Sequence, residues 1–249
     1  SGLRVNTSKD DAAGLAIADR MNAQAKGFDV AIRNANDGIS MGQTADSAMQ
    51  AITDNLQRMR ELAVQSANGT YTSGDRTNLD AEFQQLNQEI ARVVSGTQFN
   101  GQNILTFTAS FTFQVGAGTA STDQISVTTA GSLASATFGT TTAGALSGSS
   151  ISGSSSSGAT AAISAIDAAI DSLNTSRATW GAVQNRFSSV VQTLSVASEN
   201  AKSSRGRIMD ADFAQETANM TRAQILQQAG TAMVAQANSM PNNVLSLLK

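Results

Sequence analysis

The 249-residue chain contains no cysteine, no histidine and one proline, and only 14% of its residues are charged and 4% aromatic. The first two absences remove cysteine nucleophiles, disulfides, histidine general bases, and thiolate or imidazole metal ligands. Most familiar hydrolase and metalloenzyme mechanisms go with them, and no catalytic, cofactor-binding or metal site is expected. Sixteen Lys and Arg against nineteen Asp and Glu leave a net charge of −3. No basic excess is present to neutralise a phosphate backbone, so nucleic acid is not an expected partner. No apolar run reaches the roughly 18 residues a membrane span needs. Without disulfides, a secreted chain of this kind takes its stability from packing or assembly. The lone proline, Pro241, leaves almost nothing to break long helices.

Composition divides the chain into three parts. Residues 1–100 mix Ala, Gln, Asn, Asp and Arg with regularly spaced aliphatics, residues 104–158 turn to Gly, Ser, Thr, Phe and Val, and residues 159–249 return to the first style. Ala45, Met49, Ile52, Leu56, Met59 and Ala63 step by four and three, the interval of a coiled-coil seam. Leu79, Phe83, Leu86, Ile90 and Val93 do the same. Ile166, Leu173, Trp180, Phe187 and Leu194 recur at a strict seven-residue interval, continued by Ala201. A repeat slightly under 3.6 keeps one face on a partner helix over many turns, so three such seams in one chain predict helices packed on one another. The predicted fold is mainly α: an elongated antiparallel coiled-coil rod with a small insert at one end that contains a β-hairpin.

End signals agree with this pattern. Thr7 with Asp10, and Ser8 with Asp11, read as N-cap oxygens and first-turn carboxylates. The run Asn68–Gly74 reads as a turn, with Asp75 opening the next helix and Ser95-Gly96 closing it. A single helix from Asp10 to Ala67 would be about 85 Å long, with a break or bend expected at Asn36–Gly42, where Gly38 and Gly42 weaken it. Phe111, Phe113 and Val115 alternate with polar residues, as do Ile125 and Val127, predicting a hairpin with one apolar face. Gly148–Gly158, nearly all Ser and Gly, reads as a mobile loop or surface tip. The segment 210–249 carries a thinner stripe of Phe213, Met220, Leu226, Met233, Ala237 and Met240, and such a helix calls for a partner.

Several polar groupings read as structural. Asp210 and Asp212 lack the loop pattern of a calcium site and suit a helix N-terminus. Asp167 and Asp171, one turn apart, read as a solvated face. Arg58, Arg60 and Glu61 read as the polar flank of the Leu56/Met59 seam. Four Asn-x-Ser/Thr matches are of the kind that arises by chance in an Asn- and Ser-rich chain.

Five groups of residues together carry a family resemblance. They are Ser1–Asn6 with Lys9–Gly14; Arg33–Ser40; Leu56–Gln65 (Leu-Gln-Arg-Met-Arg-Glu-Leu-Ala-Val-Gln); Thr97–Gly101; and Ser204–Phe213 with Asn243–Leu248. Over about 1–130 and 159–249 the chain resembles bacterial flagellin. The hook–filament junction protein shares the architecture, but the Gln98–Gly101 turn and the C-terminal tail favour flagellin. The resemblance implies a rod domain formed by 1–103 and 159–209, a rod hairpin at 104–130, a small variable outer region at 131–158, and an inner-tube helix at 210–249. Flagellins usually begin several turns earlier, and Ser1 reads as a mature or cut N-terminus. The inner-tube helix is therefore expected to lack its N-terminal partner, and the chain as read to be impaired in polymerising.

The function implied is that of an extracellular structural subunit, copies of which pack side by side into the flagellar filament for motility. Expected partners are further copies of the chain and, by resemblance, the flagellar export apparatus and the junction or cap proteins. In the family the helix around residue 58 and the one after it form a surface read by Toll-like receptor 5 of animals, and the matching positions are Leu56, Gln57, Arg58, Leu62 and Glu82. The competing expectation is a cell-surface binding protein, an adhesin or polysaccharide binder, gripping its ligand with 104–158.

Overall fold

The computed structural model describes residues 2–106, 110–128, 146 and 148–247, with side chains as far as Asn238. Among them are four α-helices: α1 (Ala12–Ala67), α2 (Ser73–Gly96), α3 (Ser157–Met209) and α4 (Phe213–Leu247). Two short antiparallel pairs lie between α2 and α3. β1 (Gln98–Phe99) pairs with β2 (Gln102–Asn103), and β3 (Ser110–Gln114) pairs with β4 (Gln124–Thr128). The chain forms two compact units, one of residues 25–198 and one of residues 1–24 with 199–249. Residues 129–145 and 147, most of the expected outer region, lie outside the described residues.

In the larger unit, the polar pairs between α1 and α3 reveal the packing. Asp29 meets Ser198, Asp46 meets Arg177 and Arg60 meets Asp167. Partner numbers fall as α1 numbers rise, so the helices run antiparallel in one register. Between them lies the core: Met41, Ala45, Met49, Ile52, Leu56, Met59 and Ala63 of α1 with Ile166, Leu173, Trp180 and Phe187 of α3, all buried. α2 adds buried Phe83, Ile90 and Val94, while Leu79, Leu86 and Val93 are half-buried against the same cluster. Leu194 is buried farther along α3. Each fully buried large side chain contributes about 1.5–3 kcal/mol before entropy is subtracted. The buried hydroxyls are satisfied: Thr53 donates to the Met49 carbonyl, Ser176 to that of Ser172, and Ser66 to that of Ile151.

The turn from α1 to α2 is closed by a capping box. The Asp75 amide donates to Thr72 Oγ1, and the Thr72 amide and hydroxyl donate to the Asp75 carboxylate. These hydrogen bonds, the hydroxyl's first, hold the Asp75 carboxyl below the usual carboxylate range. The Arg76 side chain is buried and donates to the Asn68 carbonyl just beyond the end of α1, where the helix dipole favours positive charge.

No break occurs at Asn36–Gly42: α1 is helical throughout. A Cβ at Gly38 would lie 2.7 Å from the Phe187 ring, and one at Gly42 would lie 2.9 Å from the Gln184 side chain. These glycines serve close helix approach rather than a break. The space at Gly38 seats Phe187, whose ring meets Phe113 edge-on with centroids 5.2 Å apart. That contact and an Asn34 side-chain hydrogen bond to the Gln114 carbonyl fix the β3–β4 hairpin on the helices. In the hairpin, Phe111 stands opposite Val127 and Phe113 opposite Ile125.

The Ser/Gly stretch before α3 also departs from expectation, since its described part is a fixed strap. Leu146 and Ile151 are fully buried. The Asp80 carboxylate accepts from the Ile151 amide and the Ser150 hydroxyl, and Gln84 and Asn87 donate to the carbonyls of Ser149 and Leu146. One α2 face thus supplies the groups that water would otherwise satisfy, and two aliphatic side chains do the anchoring.

In the smaller unit, Asp11 itself caps α1, accepting from the Gly14 amide at 2.8 Å. Thr7 and Ser8 do not serve as the cap; Thr7 instead donates its amide and hydroxyl to Asp10. Those hydrogen bonds, with one from the Asn6 amide, lower the Asp10 pKa. Residues 2–5 run beside 209–211: Leu3 bridges Asp210, the Arg4 amide donates to the Met209 carbonyl, and the Ala211 amide donates to that of Gly2. Asp212 then caps α4, accepting from the amides of Ala214 and Gln215.

Two predictions follow from this packing. Gly38→Ala is expected to cost about 1–3 kcal/mol by forcing the Phe187 ring aside. Gly181→Ala on α3, where a Cβ meets nothing within 4 Å, should gain about 0.5–1 kcal/mol. Urea unfolding followed by circular dichroism reads both, and equal effects would contradict the close-approach account. For pH, a carboxyl whose folded pKa is depressed contributes stability above its unfolded value, about 3.9, and loses it as pH falls through the folded value. Thermal unfolding of the parent is expected to weaken below about pH 4, and Asp75→Ala should start lower at neutral pH and lose less on acidification.

Candidate functional site: two exposed helix faces

The first face lies in the larger unit, on α1 and α2. A core seam using positions 52, 56 and 59 leaves the residues between them, about 100° away per step, on the opposite side. Gln57, Arg58, Arg60 and Glu61 are accordingly exposed. Arg58 donates to Glu82 of α2 at 2.8 Å and to Glu61 at 3.0 Å. The carboxylates of Glu61 and then Glu82 raise the guanidinium's pKa above its ordinary value. Arg60 reaches the other way, to Asp167 of α3 at 2.7 Å. All four side chains of the Arg58–Glu82 and Arg60–Asp167 pairs are about half exposed, so solvent screening leaves each pair little net stabilising effect. Gln57, Arg60, Glu61, Val64 and Gln65 line an open groove of about 580 Å³. Val64 is the large apolar side chain exposed within it.

The five receptor-contact positions implied by resemblance do not share this face. Gln57, Arg58 and Glu82 are on it. Leu56 and Leu62 are 0% and 1% exposed, turned inward with the seam, and a partner cannot touch them while the core is closed. Asp167, for its part, is the ion-pair partner of Arg60. Sequence reasoning missed the Arg60–Asp167 and Asp46–Arg177 pairs, which are separated by more than a hundred residues and have no local signal.

The second face is α4, in the smaller unit, where every described side chain from Phe213 to Asn238 is exposed. Phe213 is 82% exposed, and Met220, Ile225, Leu226, Met233 and Val234 are all more than half exposed. At 100° per residue these six leave no angular gap wider than about 120°, so they surround the helix instead of forming the thin stripe expected. Thr217 and Thr221 turn their hydroxyls back onto the carbonyls of Phe213 and Thr217, which removes polarity from the surface. A helix apolar on most sides is one that neighbours bury on more than one side.

The two faces are separable by stability measurement. Leu56→Ala is expected to cost about 2–5 kcal/mol in denaturant unfolding, and Arg58→Ala to leave the unfolding midpoint nearly unchanged. A small cost at Leu56 would mean that it is not a core residue.

Residues 1–110 match the profile of the bacterial flagellin N-terminal helical region, and residues 163–248 match that of the bacterial flagellin C-terminal helical region. The whole chain is 43% identical to the flagellar filament 33 kDa core protein of Treponema phagedenis, covering 89% of that protein. It is 44% identical to a flagellin of Halalkalibacterium halodurans, again covering 89% of it. It resembles the crystal structure of Bacillus cereus flagellin with a TM-score of 0.54 and 33% identity, over 65% of this chain and 88% of that one. With its packed helices and its uncovered apolar helix, the chain belongs to the bacterial flagellin family, and it is a structural subunit of the flagellar filament.

Proposed function

We propose that the chain builds its filament by burying α4 among copies of itself, outside the cell. The observation that carries this reading is the ring of exposed apolar side chains on α4. Contacts between different patches on successive copies do not close on themselves, and so extend into an open helical polymer. Each contact need only be modest, because many identical neighbours share the load. In this reading 1–103 and 159–209, with the 104–130 hairpin, are the rod, 131–158 is the outer region, and 210–249 belongs to the inner tube. Export through the flagellar channel and contact with junction or cap proteins come from the family resemblance. Homology along the full length to filament proteins does not favour a surface adhesin.

Recognition by Toll-like receptor 5 is carried by a smaller set than resemblance implied: Gln57, Arg58 and Glu82. An Arg with five donors beside exposed Val64 is a suitable anchor for a partner.

Ile225→Asp in the full-length subunit is expected to leave the far-UV circular dichroism nearly unchanged. Sedimentable polymer should fall more than about tenfold, since a buried unpaired carboxylate costs several kcal/mol. Filaments of normal yield would contradict the role of α4. Arg58→Ala is expected to raise the concentration for half-maximal signalling in receptor-bearing cells about tenfold, and an unchanged dose response would remove Arg58 from the contact.

A further inference from the structure

The described methionines span a wide range of exposure, with Met209 buried and Met21 intermediate. Met41, Met49 and Met59 are 2%, 0% and 0% exposed in the α1 seam, whereas Met220 and Met233 on α4 are 56% and 70% exposed. A thioether is oxidised only where the oxidant reaches the sulfur, so a core methionine reacts only when the core opens. Met220 and Met233 have no such shield. Gly230, one turn before Met233, has open space over its backbone, and the residues beside it, Ala229, Ala232 and Ala237, are too small to cover a sulfur.

We propose that Met220 and Met233 are an oxidant-sensitive modification site, whose conversion to sulfoxide by a peroxide-class oxidant stops the unassembled subunit from joining the filament. A sulfur lone pair attacks one peroxide oxygen, the O–O bond breaks and the S–O bond forms. The transferred oxygen's proton passes to the departing hydroxide, which leaves as water. The sulfur loses two electrons and the peroxide gains them. The product replaces a flexible apolar side chain by a polar, chiral one. Met220 and Met233 point about 140° apart around the helix, so oxidation strips apolar surface from contacts with two different neighbours. Methionine sulfoxide reductases reverse the change, which makes it a switch on the free subunit rather than a terminal lesion.

The inference rests on the reading that α4 is buried on assembly, and the experiment separates the two. The full-length subunit is treated, before assembly, with dilute hydrogen peroxide, and peptide mass spectrometry follows each sulfur. Met240, beyond the described side chains, and Met21, which is partly exposed, are replaced by Leu in every protein compared. Met220 and Met233 are expected to gain oxygen at least about tenfold faster than Met41, Met49 and Met59, the ratio set by an opening cost of about 1.4 kcal/mol. Polymer yield should fall with their oxidation, recover after sulfoxide reductase treatment, and stay high in the treated M220L/M233L subunit. Similar oxidation rates for all five sulfurs, or an equal loss of assembly in M220L/M233L, would overturn the proposal. If oxidised subunit assembles normally while Ile225→Asp does not, α4 remains the assembly face and the inference about sulfur alone fails. If Ile225→Asp also assembles, the reading beneath it fails.

Discussion

Packing of α1 against α3 in a single antiparallel register is the constraint from which the other features of the larger unit follow. Once Leu56 and Met59 face the α3 positions that descend through Ile166, Leu173 and Phe187, the polar residues that can meet are decided: Arg60 with Asp167, Asp46 with Arg177, Asp29 with Ser198. The same register brings Phe187 over Gly38, and through Phe113 it positions the β3–β4 hairpin. The surface ion pairs are consequences of that register and add little energy to it. The apolar seam supplies the stability.

The chain spends its apolar residues in two ways. Most of those of α1, α2 and α3 in the larger unit are buried within the molecule, with the buried hydroxyls of Thr53, Ser66, Ser176 and Ser198 satisfied. Those of α4 are left uncovered around most of the helix. A filament subunit assembled as proposed uses both: a core that holds together as a monomer, and apolar surface for its neighbours to cover. Without cysteine, copies crowded side by side have no thiols with which to cross-link.

Much of this was legible in the sequence, for physical reasons that differ by element. The seven-residue interval from Ile166 to Leu194 announces a helix seam because one face must stay buried over many turns. Asp75 after the Asn68–Gly74 turn announces a helix start because a first turn favours a carboxylate near its orphan amides, and the structure adds Thr72 as its capping partner. Asn100-Gly101, within the Gln98–Gly101 turn, is also the signature of a two-residue hairpin turn, and both residues have positive φ. The misreadings share a cause, which is that the decisive partner is distant in sequence. Gly38 reads as a weak point in a helix until Phe187 is placed on it. Ile151 is a lone aliphatic in a Ser/Gly run with no periodicity, and only the α2 face around Asp80 turns that run into a strap. Leu56 carried its own warning, since a residue counted in the core seam cannot also be offered to a receptor. The wide apolar surface of α4 was readable from Ile225 and Val234, had angle around the helix been tracked as well as spacing along it.

Amide hydrogen exchange, measured on the subunit alone and again in the filament, tests the central division most directly. The account predicts strong protection of the α1, α2 and α3 segments around Met49–Met59, Phe83–Ile90 and Ile166–Phe187 in the free subunit, changing little on assembly. It predicts weak protection of α4 in the free subunit and a large gain in the filament. Protection of α4 already at core level in the free subunit, or no gain in the filament, would contradict it.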